Sequence, residues 1–404
     1  MVASDRDLIL IHVSGQSLAA SRHVPLLEAF ARHGLVLHVD PTPVFGVRGR
    51  RELAESLGRI DSMLCGRAPR EIVRVPVAAL LPGSRFLFFA RWNRWLALRS
   101  VSRYLARGWP THRRVVFCTF PLLLPTLRGL DADAVVYEAR DDYVALYAGR
   151  PGTARVERTQ RRMVTECDLA WAVSKTLATR LRRHRADVIE TSNGVDVDAF
   201  AVAATEPPAI ATIGRPRIGL LGNLNDRVDW KLLESLARSR PAWQIVLVGP
   251  LYEPGTQTRD GLARLKELEN FHLLPAVPAA DIPAWMHAFD VGIIPYRLYD
   301  VTEAINPLKA YQYLAAGKPV VATSLPALEP LKSIVRLCRD QTEFIESVEA
   351  ALAEGDDAAL GEERRRRVRE YSWDSVAQRR IEIVREHLAG RERPTPGYPK
   401  ASIR

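Results

Sequence analysis

The sequence predicts an α/β protein of two successive domains, each a parallel sheet with helices between its strands. Three observations carry that prediction. The chain opens on a strand, helix, strand pattern; short apolar runs of strand type then recur between helical stretches; and one stretch near the middle turns small, Pro-containing and aperiodic. The length of 404 residues leaves room for two or three units with real cores.

Leu8 to Val13 reads as the first strand, Val24 to Arg32 as a helix stopped by Gly34, and Val36 to Asp40 as the second strand. Arg114 to Thr119, Ala134 to Tyr137 and Leu169 to Val173 repeat the apolar run expected of strands covered on both faces, and the first domain is taken as 1–200. AVAATEPPAIATIGRP, 201–216, is the expected linker. The second domain, 217–372, repeats the pattern at Arg217 to Leu221, Gln244 to Val248, His272 to Leu274, Val291 to Ile294 and Val320 to Ala322. A helix follows over 373–388, and the tail 389–404, with its three prolines, is expected to be disordered.

Composition excludes several classes. Hydrophobic residues at 47% and charged residues at 26% are ordinary globular values. The four cysteines, Cys65, Cys118, Cys167 and Cys338, form no CxxC or Cys/His spacing, which argues against a zinc site or disulfide framework and fits a reducing cytoplasm. The start of the chain lacks the length and flanks of a signal peptide, and no run approaches the ~18 apolar residues of a spanning helix. A cytoplasmic protein, free or held at the inner membrane surface, is expected.

The formal charge of +10 lies entirely in the first half, and between Ile72 and Leu130 there are ten arginines and no Asp or Glu. Such a block implies an anionic partner. Its best-organised part, Ser84 to Arg107, reads as a helix capped by Ser84, with Leu87, Ala90, Ala97, Leu98, Val101 and Leu105 on a core face. The other face mixes Phe88, Trp92, Trp95 and Leu96 with Arg91, Arg99, Arg103 and Arg107, a combination suited to the headgroup boundary of an anionic membrane. A basic solvated helix is the competing reading. Nucleic acid is disfavoured because no recognisable binding module accompanies the arginines.

AINPLKAYQYLAAGKPVVAT, 304–323, has complete helix signals: Asn306 as cap, Pro307 in the first turn, Gly317 as stop. Lys309 stands in the first turn, where free N–H groups favour phosphate, and Gln312 lies one turn further on the same side. An ordinary amphipathic helix with a surface lysine is the alternative for this segment alone.

With SNGVDVDAF (192–200), IGLLGNL (218–224), IVLVGP (245–250), LPAVPAADIPAWMHAFDVGIIPYR (274–297) and NPLKAYQYLAAGKPVVAT, most of the chain resembles the GT-B glycosyltransferases of bacterial polysaccharide assembly, of the family 4 type. The resemblance implies two Rossmann-like domains facing across a cleft, an N-terminal acceptor domain, a C-terminal domain holding a UDP- or GDP-type nucleotide sugar, and a last helix, 373–388, crossing back to the first domain. It implies donor contacts at Gly222, Asn223, Arg227, Val277, Arg297, Asn306, Lys309 and Gln312. The chain also departs from the family. Retaining members carry two glutamates with seven residues between them where Ala304 and Gln312 stand here, and Asn223 replaces a usual arginine. Lys-x-x-Gln-Tyr resembles instead the inverting glucuronosyltransferase of xanthan assembly, and the stereochemical course stays open.

That relative implies a general base in EARDDYVALYAG (138–149), which follows a strand where catalytic groups of doubly wound sheets collect; Asp141 is the first candidate and Asp142 the second. One of the pair capping the next helix is the bland alternative. His23 is an acceptor-side candidate. The resemblance implies that positive side chains and helix dipoles stabilise the leaving group, as GT-B enzymes generally do, so no essential metal or other cofactor is expected. The expected function is sugar transfer to a lipid-linked or glycan acceptor at an anionic membrane surface, with no nucleic acid involved; a non-catalytic or isomerase protein of the same fold is the alternative.

Overall fold

Among the described residues, two sheets, parallel at every strand pair, organise the chain. The structure, a computed structural model, describes residues 7–18, 23–66, 71–79, 87–127, 130–202, 205–252, 254–355, 357–389 and 391. Ser84 and the tail beyond 391 lie outside the described residues, as do the side chains of Leu87, Phe88 and Ala90.

The first unit gathers Met1–Val173, Leu177–Thr191 and Val376–Arg404. Its strands are β1 (Leu8–Val13), β2 (Leu35–Phe45), β3 (Ile72–Ala79), β4 (Arg113–Cys118), β5 (Ala134–Ala139), β6 (Leu169–Ala172) and β7 (Ile189–Glu190), in the order β3-β2-β1-β4-β5-β6-β7. The order reverses beside β1, and the chemistry-bearing ends of the strands collect along one edge there. β1 is buried along its whole length, which is why it reads as an unbroken apolar run.

Between Asp40 and Ser84 the sequence reading placed no element, and the structure supplies what was missing. β2 runs on through Pro41-Thr42-Pro43 by shifting register between Asp40 and Pro43, a place where prolines without N–H groups are tolerated. The helix Gly46–Leu64 then leads to β3, supported by i,i+4 pairs such as Arg48–Glu52 and Arg51–Glu55.

The second unit is Ser174–Thr176 with Ser192–Ser375. Its strands are β8 (Arg217–Leu221), β9 (Gln244–Val248), β10 (Phe271–Leu274), β11 (Val291–Ile294), β12 (Val320–Thr323) and β13 (Val335–Cys338), in the order β10-β9-β8-β11-β12-β13. The stretch expected as a linker is not a free connection: it forms the helix Pro208–Ala211, and Ile210 and Ile213 are buried in the second core. The last helix spans Trp373–Ala389, and from Val376 onward it belongs to the first unit.

Candidate active site

In the second unit the residues converge where β8 and β9 end. Gly222 follows β8 with φ +136°, and Gly249 follows β9 with φ +145°; a Cβ on Gly249 would lie 2.1 Å from the Gly222 carbonyl oxygen. Only glycine allows this approach at that backbone angle.

The helix Leu308–Ala315 packs against this end. Tyr313, fully buried, donates its hydroxyl to the Gly219 carbonyl (2.9 Å) and accepts from the Leu221 N–H (3.1 Å), which fastens the helix to β8. Gly317, with φ +76°, ends the helix as its sequence signal implies. Asn306 does not cap it: Pro307 is the N-cap, and the preceding loop is held instead by Asn193 Nδ2 donating to the Asn306 carbonyl (2.7 Å) and Ser174 Oγ donating to the Ala304 carbonyl (2.6 Å).

Lys309 is not a surface lysine. It is 8% exposed, its Nζ donates to Tyr296 Oη at 2.9 Å, and it lies 3.2 Å from where a Cβ on Gly222 would stand. No carboxylate pairs with it among the described residues. A buried ammonium without a counter-ion is costly to desolvate, so this position is electrostatically prepared for an anion.

The remaining donor candidates are less tightly gathered. Gln312 is half-buried and Asn223 exposed. Arg227 and Arg297 are adjacent through the Arg297 N–H to Arg227 carbonyl bond (2.9 Å), but the Arg297 guanidinium is occupied, donating to Gln257 Oε1 (2.5 Å) and lying 5.4 Å from the Tyr299 ring centre. Val277 packs half-buried on the second core just before the turn Ala279–Asp281.

In the first unit Asp141 is half-buried at the turn that follows β5. Asp142 serves the local structure, capping the helix Tyr143–Tyr147 by accepting from the Ala145 N–H (3.0 Å) and pairing with Arg180 (2.7 Å). His23, buried, stands at the N-cap of the helix Val24–Ala31, its ring centre 5.1 Å from that of His12. His12 and His38, register partners on β1 and β2, are fully buried with their Nδ1 atoms 2.9 Å apart. Burial and the neighbouring His38 lower the His12 pKa far below its usual value, and burial brings His38 down to about 4, so this pair is neutral near pH 7.

The basic helix spans Leu87–Gly108, with Ala97, Leu98, Val101 and Leu105 buried. Trp92 is 45% exposed and stacks 5.2 Å from Trp95, over which the Arg99 guanidinium sits at 5.0 Å. Arg103 is exposed and Arg91 half-buried. The sequence reading missed a second feature of this kind, Val47, 84% exposed and followed by the exposed Arg48, Arg50 and Arg51.

Comparison with known proteins matches residues 215–354 to the family described as glycosyl transferases group 1. A Bacillus subtilis (strain 168) protein named as a teichuronic acid biosynthesis glycosyltransferase, TuaH, is 28% identical over 281 residues, 65% of this chain and 70% of the relative. Among solved structures, sucrose-phosphate synthase from Thermosynechococcus elongatus superposes with a TM-score of 0.67 at 16% identity, covering 96% of this chain and 100% of that one. A glycosyltransferase from Rickettsia africae gives a TM-score of 0.63 at 14% identity over 96% and 100%. These neighbours share the GT-B fold.

Proposed function

We propose that this GT-B glycosyltransferase, whose residues 215–354 form a group 1 domain, moves a sugar from a nucleotide-sugar donor to a lipid-linked or otherwise membrane-held acceptor in cell-envelope polysaccharide assembly. Lys309 is the observation that carries it. Its ammonium, buried beside Gly222 and hydrogen-bonded to the Tyr296 hydroxyl, suits a donor diphosphate. As the bond from the anomeric carbon to the phosphate oxygen breaks, negative charge grows on the leaving diphosphate, and a preset ammonium at a helix start stabilises it without a metal ion.

On the acceptor side Asp141 takes the proton of the attacking hydroxyl as its oxygen bonds to the anomeric carbon. Asp142, engaged by Arg180 and its helix cap, is less available for that role. The membrane reading is supported by the exposed Trp92 with the half-buried Trp95 and Arg99 stacked beside it, and by Val47 among its arginines, indole and guanidinium together matching the apolar and anionic layers of a headgroup boundary. No helix among the described residues is long and apolar enough to cross a membrane, so contact at the surface is the mode proposed. The role of the Bacillus relative in teichuronic acid biosynthesis supports an envelope polysaccharide as the destination.

A melting-temperature panel with UDP-, GDP- and TDP-sugars tests the donor half. A rise selective for one nucleotide supports it, because a ligand at ~100 times its Kd adds about 2.7 kcal/mol to the native state. No rise with any of the three would overturn it.

A further inference from the structure

Behind the Asp141 turn lies a buried charge cluster that the proposed chemistry does not use. Glu138, near the end of β5, is completely buried. Its Oε1 forms an ion pair with Arg380 Nη2 at 2.5 Å, and its Oε2 accepts from Arg140 Nη1 at 3.5 Å. Arg380 comes from the last helix, is 2% exposed, and lies with its guanidinium carbon 5.7 Å from the Trp171 ring centre. Burial lowers the Arg380 pKa to about 10, with Glu138 opposing the shift, which leaves the guanidinium charged near neutral pH.

Stability is a poor reason for such a cluster. Removing ions from water costs several kcal/mol each, and apolar side chains of similar size often serve a core as well or better. What charges add is geometry, since a guanidinium and a carboxylate fix each other's direction. The direction fixed here is that of the turn. Arg140 is tied back to Glu138 on one side, and Asp142 is tied on the other by Arg180 and by the Ala145 N–H. Asp141 is the residue between the two ties.

We propose that Glu138, Arg140 and Arg380 form a positioning device, through which the last helix holds the β5 turn so that the Asp141 carboxylate is presented to the acceptor. This rests on the reading of Asp141 as general base. The device touches no substrate; it acts through Asp141.

The double variant Glu138→Met/Arg380→Met of the full chain tests it, because it removes the charges while keeping apolar bulk. Three quantities are read: the melting temperature, hydrogen exchange at the Ala145 and Leu146 amides, both bonded to Asp142, and nucleoside diphosphate release from UDP-, GDP- and TDP-glucose over vesicles of bacterial total lipid extract. The expected result is a melting temperature within a few degrees of wild type, exchange at those two amides at least tenfold faster, and release at least tenfold slower at unchanged donor KM. Unchanged exchange with undiminished release would overturn the proposal and reduce the cluster to packing. Asp141→Asn, run alongside, separates the two levels: full release in that variant removes the general-base reading itself, whereas loss there with retention in the double variant removes only the positioning role. If the double variant does not fold, Arg380→Lys replaces it; the shorter ammonium cannot hold both directions, so faster exchange at the same two amides is again expected, and unchanged exchange again overturns the proposal.

Discussion

Lys309→Met is the sharpest perturbation of the donor site. Methionine keeps most of the stem and removes the ammonium that donates to Tyr296 Oη at 2.9 Å and lies against Gly222. A hydrogen bond to a charged group contributes roughly 1.5–3 kcal/mol, and about 1.4 kcal/mol is tenfold in affinity, so donor binding should weaken about 10- to 150-fold. At a nucleotide-sugar concentration ~100 times the wild-type Kd, stabilisation by ligand should fall from about 2.7 kcal/mol to between about 1.4 and 0.3 kcal/mol. The free protein should behave oppositely to an ordinary core lesion. Losing a desolvated ammonium that has no carboxylate partner among the described residues relieves a cost, so its melting temperature without ligand should stay within a few degrees of wild type or rise. Titration calorimetry with the nucleotide sugar selected by the melting panel, on both proteins, gives the answer. A Kd unchanged within twofold would refute the assignment of Lys309 to the diphosphate.

Other outcomes follow from the same structure. Asp141→Asn should reduce transfer by about 10²-fold or more while leaving the calorimetric donor Kd unchanged, as expected of a group acting only on the proton of the acceptor. Replacing Trp92, Trp95, Arg99 and Arg103 together with alanine should abolish sedimentation with vesicles rich in anionic lipid and leave donor binding intact; unchanged sedimentation would defeat the membrane reading. His38, lowered to about 4 by burial, binds a proton in the unfolded chain near pH 6.5 but not in the folded one, so native stability should fall by roughly 3 kcal/mol as pH drops from 6.5 to 4. In His38→Gln that part of the pH dependence, followed by urea unfolding across the range, should flatten.

Local sequence determined the alternation of elements and the places where helices stop. β1 and β8 read as strands because both their faces are buried and their runs are apolar, and Gly317 ended its helix because a positive φ favours that residue. The basic aromatic face of the helix Leu87–Gly108 was also legible, since charge and indole recur at helical spacing within one segment. The site was legible only as a set of candidates. Lys309 could be named from its helix, but its burial is decided by Tyr296 and Gly222, which reach it from the ends of other strands; Asn306 looked like a cap until Asn193, far away in the chain, was seen to hold its carbonyl. His12 with His38 and Glu138 with Arg380 left no trace at all. Hydrophobic periodicity is a property of neighbours along the chain, whereas a polar group inside a core is explained by its partner, and only the fold brings that partner near.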